Sequence, residues 1–325
     1  MGLTELDRRV LKIGYTKGIH KGQRTFYQRL NLKRSTTDYV LEKLKRERML
    51  TRSSYEVNLP ALGIKRFAWL FLSVNWVAFD EEKFMKKALG FPEIGSVLKV
   101  TGDYDYAVYI LGKSIAKINE FVIGFERIFQ DEIEGIDLRF ANREYKRHYI
   151  LVSPCPTYTP NRVDCLLLDE KLKNPGISLA EISKKYKIHR NTVSNRWRKI
   201  WKNKVLLKEH LELTEAGFRE TRLGLKLFVI IKPVPGKEEK LIRHLAGLEE
   251  VENIFTTLSN EIVLNVRVED SPSLGLLHNK MIMGLEKVVK NSKTVLVMGG
   301  RKKPYLPMQT LTQINENVCS NCFEY

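Results

Sequence analysis

The chain has 325 residues, of which 43% are hydrophobic, and a formal net charge of +17. This length leaves room for two or more domains, because single cores usually stop growing near about 250 residues. The composition excludes a low-complexity protein, and the cysteine count of 4 excludes a disulfide framework. The most apolar window, residues 68–79, is too short to span a bilayer. We find no signal peptide and expect a soluble, cytoplasmic protein.

The positive charge is concentrated in two segments. Residues 1–55 carry a net charge of +9 and residues 161–210 a net charge of +8, which together account for the whole excess. The rest of the chain is neutral. An excess of cations confined to two compact segments indicates two nucleic-acid-binding surfaces.

The same two segments repeat each other at an offset of about 156 residues. Their gapless alignment pairs Leu32 with Ile188 and Arg34 with Arg190. Each copy predicts a short helix, a tight turn and a second helix with a basic outer face. The chain therefore carries two candidate helix-turn-helix units.

The remaining elements follow in the same order in both halves. In the first half we predict helices at 4–15, 23–30 and 35–46, a two-stranded wing at 49–57, and then strands and helices at 67–75, 80–89, 94–101, 104–111, 114–129 and 133–142. In the second half we predict helices at 163–172, 179–186 and 190–201, a wing at 205–213, and strands and helices at 225–232, 236–246, 251–258, 261–268, 273–290 and 294–298. Short strands and helices in the order βαββαβ predict a ferredoxin-like sandwich.

The predicted fold class is α+β, with two winged helix-turn-helix domains alternating with two ferredoxin-like βαββαβ domains. The predicted domains are a winged helix-turn-helix at 1–60, a sandwich at 64–146, a proline-rich linker at 147–161, a second winged helix-turn-helix at 162–215, a second sandwich at 222–300 and an irregular tail at 301–325. Fold class and domain order follow from hydrophobic periodicity and from the positions of proline and glycine.

The predicted recognition helices carry side chains that suit the major groove. Arginine pairs with guanine, asparagine pairs with adenine, and threonine contacts the thymine methyl group, whereas lysine more often meets phosphate. The candidate DNA-binding residues are Arg34, Ser35, Thr36, Tyr39 and Lys43 in the first copy and Arg190, Asn191, Thr192, Asn195, Arg196 and Lys199 in the second. We expect the second helix to be the better base reader.

Helical spacing also predicts which residues of these helices face the core. In the second copy these are Val193, Trp197 and Ile200. In the first copy we place Thr37, Leu41 and Leu44 inside and Val40 outside.

Four segments resemble the Lrp/AsnC family of transcription regulators: residues 6–11, residues 177–196, residues 92–94, and the Thr-Gly-x-x-Asp turn within residues 101–106. The resemblance implies that each half is a winged helix-turn-helix followed by a ligand-sensing sandwich, called a RAM domain. Ordinary members dimerise through their sheets. Here it implies a pseudo-dimer within one polypeptide, a double-stranded DNA partner and a possible further homodimer.

The resemblance also implies an effector site at the Thr-Gly-x-x-Asp turn, for a small molecule such as an amino acid. The candidate effector-binding residues are Thr101, Gly102, Asp103 and Asp105. Glycine permits a close backbone approach, and a carboxylate accepts hydrogen bonds from an amino group. A plain hairpin turn explains the same residues. The second half lacks the glycine here, since it reads Leu-Ser-Asn-Glu at 258–261.

A CxxC motif, formed by Cys319 and Cys322, lies near the end of the chain. It is open to three interpretations: a zinc site completed by Cys155 and Cys165, a redox-sensitive pair, or two thiols without a special role. The six histidines show no ligand spacing. We predict no metal and no cofactor.

Three functions compete. The first is a sequence-specific transcription regulator, which is not an enzyme. The second is an enzyme similar to the siroheme decarboxylases, which reuse this architecture. The third is a chromatin-like DNA binder with little sequence preference, because phosphate contacts alone give substantial affinity.

Overall fold

The computed structural model describes residues 3–19, 25–153, 155–283, 287–303 and 306–314. The first half contains α1 (Glu5–Thr16), α2 (Thr25–Leu30), α3 (Arg34–Arg46), β1 (Leu50–Val57), β2 (Arg66–Val74), α4 (Glu81–Gly90), β3 (Ile94–Thr101), β4 (Tyr106–Gly112), α5 (Ile115–Ile128), β5 (Ile133–Arg147) and β6 (Ile150–Leu151). The second half contains α6 (Arg162–Lys173), α7 (Leu179–Tyr186), α8 (Arg190–Lys202), β7 (Leu206–Leu213), α9 (Glu215–Glu220), β8 (Leu225–Pro233), α10 (Glu238–Ala246), β9 (Val251–Thr257), β10 (Ile262–Val268), α11 (Ser271–Ile282), β11 (Val289–Lys302) and α12 (Met308–Ile314).

The first helix of each helix-turn-helix unit begins at side chains that cap it. Helix α1 starts with a capping box between Thr4 and Asp7, and α6 starts with the same device between Asn161 and Asp164. Each pair satisfies backbone N–H groups that the first helical turn leaves without partners. Both acidic residues are buried, so the same device fixes the first helix of each unit.

The predicted wings differ from the structure. Residues 49–57 and 205–213 do not each fold as a two-stranded hairpin. Each contributes one strand, β1 or β7, and these two strands pair with each other in an antiparallel ladder that runs from Leu50 opposite Leu213 to Val57 opposite Leu206. The wing is therefore shared between the halves, because an isolated strand can satisfy its backbone only by pairing with another strand.

Each half folds into a ferredoxin-like sandwich, which confirms the predicted fold class. The first sheet has the strand order β3-β4-β2-β5 and the second the order β11-β8-β10-β9. All of these pairings are antiparallel. Helices α4 and α5 pack on the outer face of the first sheet, and α10 and α11 pack on that of the second.

The two sheets join at both edges. Strand β3 pairs with β11, and β5 pairs with β9. Because β2 also pairs with β5, the eight strands close into one continuous sheet. Aromatic side chains fill its interior, where Phe228 packs edge-to-face on Trp69 and Phe71. The halves thus form a pseudo-dimer without free sandwich edges.

Several predictions for the last part of the chain were wrong. The helix placed at 273–290 ends at Ile282, and Val289 begins a strand that runs to Lys302. The tail is not entirely irregular, because Met308–Ile314 forms α12, whose apolar face packs into the core. Among the described residues, no helix combines the length and apolarity needed to cross a membrane.

Candidate nucleic-acid interface

The inner faces of the two recognition helices occupy corresponding positions. Helix α3 buries Thr37, Val40 and Leu44, and α8 turns Val193, Arg196 and Ile200 toward the core. The prediction that Val40 faces outward was wrong, since it is buried, whereas Leu41 is only partly buried. Positions spaced by three and four residues share one helical face, so Val40 completes the stripe between Thr37 and Leu44.

Arg196 occupies the position that Val40 holds in the first unit, and its side chain points inward. Its Nε donates to Asp164 Oδ1 at 2.7 Å, and its Nη2 donates to Asp164 Oδ2 and, at 3.0 Å, to the Tyr158 hydroxyl. Asp164 is fully buried, and Arg196 is 21% exposed. This bidentate pair ties α8 to α6. We therefore withdraw Arg196 from the predicted base readers.

Most of the cations of helix α3 are also paired with carboxylates of the protein. Lys43 pairs with buried Asp7 at 2.6 Å. Two further cations pair with carboxylates on the same helix, Arg34 with Asp38 and Lys45 with Glu42. Ser35, Thr36 and Tyr39 are exposed, the last at 65%. The first helix thus presents polar groups with little uncompensated charge.

Helix α8 presents a different surface. It contains no acidic residue, and within the described part of the chain only Arg196 among its cations is paired with a carboxylate. Its exposed residues include all the other predicted readers, namely Arg190, Asn191, Thr192, Asn195 and Lys199. His189 caps the helix, since its Nδ1 accepts the Asn191 N–H at 3.3 Å. The exposed face is thus both cationic and rich in groups that read bases.

One exposed arginine was missed in the sequence analysis. Arg198 shares the outer face of α8 with Asn191 and Asn195, at spacings of seven and three residues. The signal was present in the sequence, since this stripe lies opposite Val193 and Ile200. Arg198 replaces Arg196 as the candidate guanine reader.

The Thr-Gly-x-x-Asp turn lies where the two sheets meet. Gly102 adopts a φ of 119° near the backbone of Thr294 on β11, a conformation that favours glycine. Asp103 pairs with Lys293 of the same strand. Asp105 accepts the Val74 N–H at 2.9 Å. Of the two candidate carboxylates, Asp105 thus holds the backbone, whereas Asp103 is 64% exposed.

A buried polar cluster lies where α1, the shared wing and the second sandwich meet. We call Tyr15, His148, Lys208, His210 and Glu252 the junction cluster. The Tyr15 hydroxyl donates to Glu252 Oε1 at 2.8 Å, and Lys208 Nζ donates to the Tyr15 carbonyl at 2.9 Å. The ring centroids of His148 and His210 lie 4.2 Å apart, and the rings meet edge to face.

The junction cluster has perturbed titration. Burial lowers the pKa of both imidazoles well below 6.5 and lowers the pKa of Lys208 to about 7. Burial alone would raise the pKa of Glu252, but the charges of Lys226 and Arg267 hold it well below its ordinary value. Such groups are common at functional sites and in structural ion-pair networks alike.

The cysteine predictions lie mostly outside the described residues, since Cys319 and Cys322 fall there. Cys155 is a free thiol whose Sγ accepts a hydrogen bond from Asn58 at 3.3 Å. In the part of the chain that the structure describes, no three His, Cys, Asp or Glu residues are grouped to hold a metal ion.

Comparison with known proteins finds similarity in sequence over about a third of the chain and similarity in fold over nearly all of it. The HTH-type transcriptional regulator FL11 of Pyrococcus furiosus is 27% identical over 120 residues, which is 37% of this chain and 78% of that protein. The siroheme decarboxylase NirDL superposes with a TM-score of 0.60 at 11% identity, over 97% of this chain and 98% of that chain. A second NirDL structure contains an iron-uroporphyrin III analogue. No family model matches the chain.

FL11 is an HTH-type transcriptional regulator, and its similarity extends over 37% of this chain. NirDL shows that the entire two-unit fold occurs in a solved protein, and at 11% identity the likeness establishes the fold alone. Together with the motifs of both halves, these findings show a tandem chain that resembles the regulators of the Lrp/AsnC type.

Proposed function

We propose that the protein is a sequence-specific transcription regulator that places α3 and α8 in the major groove of double-stranded DNA. The observation that carries this proposal is the outer face of α8, where Asn191, Asn195 and Arg198 form one exposed stripe on a helix without acidic residues. Amide and guanidinium groups at this spacing match the hydrogen-bonding edges of adenine and guanine.

The two helices read DNA differently. In α8 four cations have no carboxylate partner among the described residues, whereas in α3 three of the four cations are paired. The target is therefore two unlike half-sites, with α8 specifying bases and α3 adding weaker contacts through Ser35, Thr36 and Tyr39. Half-sites about one or two helical turns apart, roughly 10 or 20 base pairs, suit a paired reader.

Genome-wide crosslinking of the full-length protein to DNA tests this proposal, because it yields the motif and the half-site spacing together. Binding to an enriched fragment is then compared with binding to random DNA of equal length at matched salt. If about six to eight phosphates are contacted, log K falls with log salt at a slope of roughly −5 to −7. A slope near zero would contradict docking in the groove. Equal affinity for both DNAs would indicate a chromatin-like binder with little sequence preference.

An effector at the Thr-Gly-x-x-Asp turn is part of the proposal. Its location at the seam between the sheets supports it, because a ligand amino group can take the place of Lys293 beside Asp103. Amino acids added to the protein should then raise its unfolding temperature, and Asp103→Asn should abolish that rise. If the unfolding temperature of Asp103→Asn still rises with added amino acids, the turn is a plain hairpin without an effector site.

A second candidate function is an enzyme similar to siroheme decarboxylase. The observation that favours it is the pair of buried imidazoles, His148 and His210, within a fold that matches NirDL over 97% of the chain. Purified protein mixed with iron-uroporphyrin III should then develop a shifted Soret band, and His210→Gln should abolish the shift. No shift in the wild type rejects this candidate.

A further inference from the structure

A cavity of about 870 Å³ opens between the first helix-turn-helix unit and the second sandwich. Its walls come from α1, α2, the turn between β5 and β6, and α11, so both domains contribute to it. We call it the junction cavity, because Tyr149 on its wall adjoins the junction cluster. Its volume is within the range of pockets that hold small organic molecules, about 300–1,000 Å³.

The walls of the junction cavity are cationic. Lys12, Lys17 and Arg29 project from the helix-turn-helix side and have no carboxylate partner among the described residues; the Arg29 guanidinium donates only to the Lys17 carbonyl, at 2.8 Å. Three acidic residues lie on the opposite wall: Glu250 and Glu269 are paired with Lys280 and Arg222, whereas Glu249 has no ion pair among the described contacts. Seven cationic side chains and three carboxylates line the cavity, so its walls carry a net positive charge.

The cavity also offers apolar surface and an unused hydroxyl. Leu151 and Leu276 line it and remain 67% and 64% exposed. The Tyr149 hydroxyl is buried and has no hydrogen-bond partner in the described structure. A buried polar group without a partner costs free energy that a ligand can recover. Tyr149 and its neighbour His148 both adopt a positive φ, of 66° and 44°, so their rings are held here at a cost in backbone strain.

The corresponding surface of the other half is covered by the chain itself. Lys12 lies five residues after Asp7 of the first capping box, and Asp169 lies five residues after Asp164 of the second. Asp169 accepts the Met308 N–H at 2.6 Å, and α12 buries its apolar face in the same core as α6. In one half a helix covers this surface, whereas in the other it stays open with a lysine in place of the aspartate.

We propose that the junction cavity binds an organic anion with an apolar body and at least two carboxylates, and that this ligand fixes the first helix-turn-helix unit on the second sandwich. The carboxylates meet Lys12, Lys17 and Arg29, the body lies against Leu151 and Leu276, and the Tyr149 hydroxyl donates to the ligand. Only the consequence for DNA binding rests on the proposed regulator function, since the ligand then biases the orientation of α3.

5-Carboxyfluorescein (called fluorescein below), which carries two carboxylates beside a fused aromatic ring system, is a suitable probe, and its anisotropy reports binding to the full-length protein. We expect saturable binding at one site that biphenyl-4,4′-dicarboxylate displaces and that citrate, which lacks an apolar body, does not. The double variant Lys12→Gln/Lys17→Gln should bind at least about tenfold more weakly, because it removes two charge-assisted contacts. Both lysines are exposed, so the variant should fold.

The matched control is Lys86→Gln/Lys240→Gln, which removes two exposed lysines from α4 and α10 and should bind fluorescein within twofold of the wild type. Tyr149→Phe should weaken binding without lowering the unfolding temperature, which separates a ligand contact from a structural one. Absence of saturable binding, or equal weakening by both double variants, would overturn the proposal. If the protein binds fluorescein but no DNA, the proposal for the cavity stands and the regulator function is rejected.

Discussion

Asn195 and Arg196 are neighbours on α8, yet they point to opposite environments. Asn195 is exposed on the stripe that includes Asn191 and Arg198, whereas Arg196 is held by Asp164 in the interior. Residue type alone makes both good base readers. Their direction from the helix leaves Asn195 as a candidate for base recognition and makes Arg196 a contributor to stability.

Asn195→Ala should therefore weaken binding to the cognate site by about 1–3 kcal/mol, because it removes the proposed bidentate contact with adenine. The loss on random DNA should be much smaller, and the unfolding midpoint should not change. Titrations on both DNAs at one salt concentration measure the two losses. Equal losses would show that Asn195 does not read bases.

Arg196→Ala should act on stability. It leaves the carboxylate of Asp164 buried without its cation, which should lower the free energy of unfolding by roughly 2–4 kcal/mol. This is less than for a fully buried pair, since Arg196 is 21% exposed. Urea unfolding measures the change. A variant that unfolds like the wild type but loses sequence preference would return Arg196 to the base readers.

At the scale of elements, the shared wing couples the first half to the reader of the second. Tyr55 of β1 is 8% exposed, and its ring packs edge-to-face on Trp197 and Trp201 of α8 at 5.7 and 6.1 Å. A strand from one half thus supports the recognition helix of the other. This contact has no counterpart in a hairpin wing that folds within its own unit.

Tyr55→Ala should destabilise α8 across the boundary between the halves. Truncation of a buried aromatic ring costs about 3–5 kcal/mol, and here the cavity forms under α8. Hydrogen exchange should therefore quicken in α8 more than in α3. The control is Tyr39→Ala, which removes a side chain that is 65% exposed and should leave exchange unchanged. Equal acceleration in both helices would indicate global unfolding instead of coupling.

At the scale of the molecule, the halves complete each other. The pairs β3–β11, β5–β9 and β1–β7 all cross between them. Residues 1–160 expressed alone would expose three unpaired strand edges, which associate readily. We expect that fragment to self-associate, and to form a one-to-one complex when it is co-expressed with the second half. Light scattering measures the masses, and a stable monomeric fragment would contradict this expectation.

The junction cluster should make the molecule sensitive to acid. The folded-state pKa values of His148 and His210 lie below 6.5 and that of Lys208 lies near 7, against an ordinary 10.5. At pH values between the folded-state pKa and the ordinary pKa of each group, the unfolded chain binds more protons than the folded chain. The free energy of unfolding therefore falls as the pH falls through that range. The contribution of Glu252, whose pKa is lowered, is lost only below about pH 4.5.

The urea midpoint should accordingly drop between pH 7.5 and pH 5. His210→Gln should flatten that drop, whereas His278→Gln, at an exposed position, should leave it unchanged. The slope against pH is the readout, because it is insensitive to a uniform loss of stability. An unaltered slope in His210→Gln would mean that the imidazole does not contribute to the pH dependence.

The sequence by itself determined the local elements and their order. Caps such as Thr4 with Asp7, the alternation of strands and helices, and the basic helices are properties of neighbouring residues, so periodicity and spacing reveal them. The alignment of the halves even contained the position of Arg196, since Val40 is its counterpart. The sequence analysis placed both residues on the outer face of their helices, whereas both point inward.

Only the tertiary structure decided which partners those elements take. A single strand does not encode whether it pairs within a hairpin or with a strand 156 residues away, so the shared wing, with Leu50 opposite Leu213, could not be predicted. The junction cavity is equally non-local, because its cations and apolar residues lie far apart in the chain. Long-range pairing and desolvation act between segments, and no sequence window contains both sides of the contact.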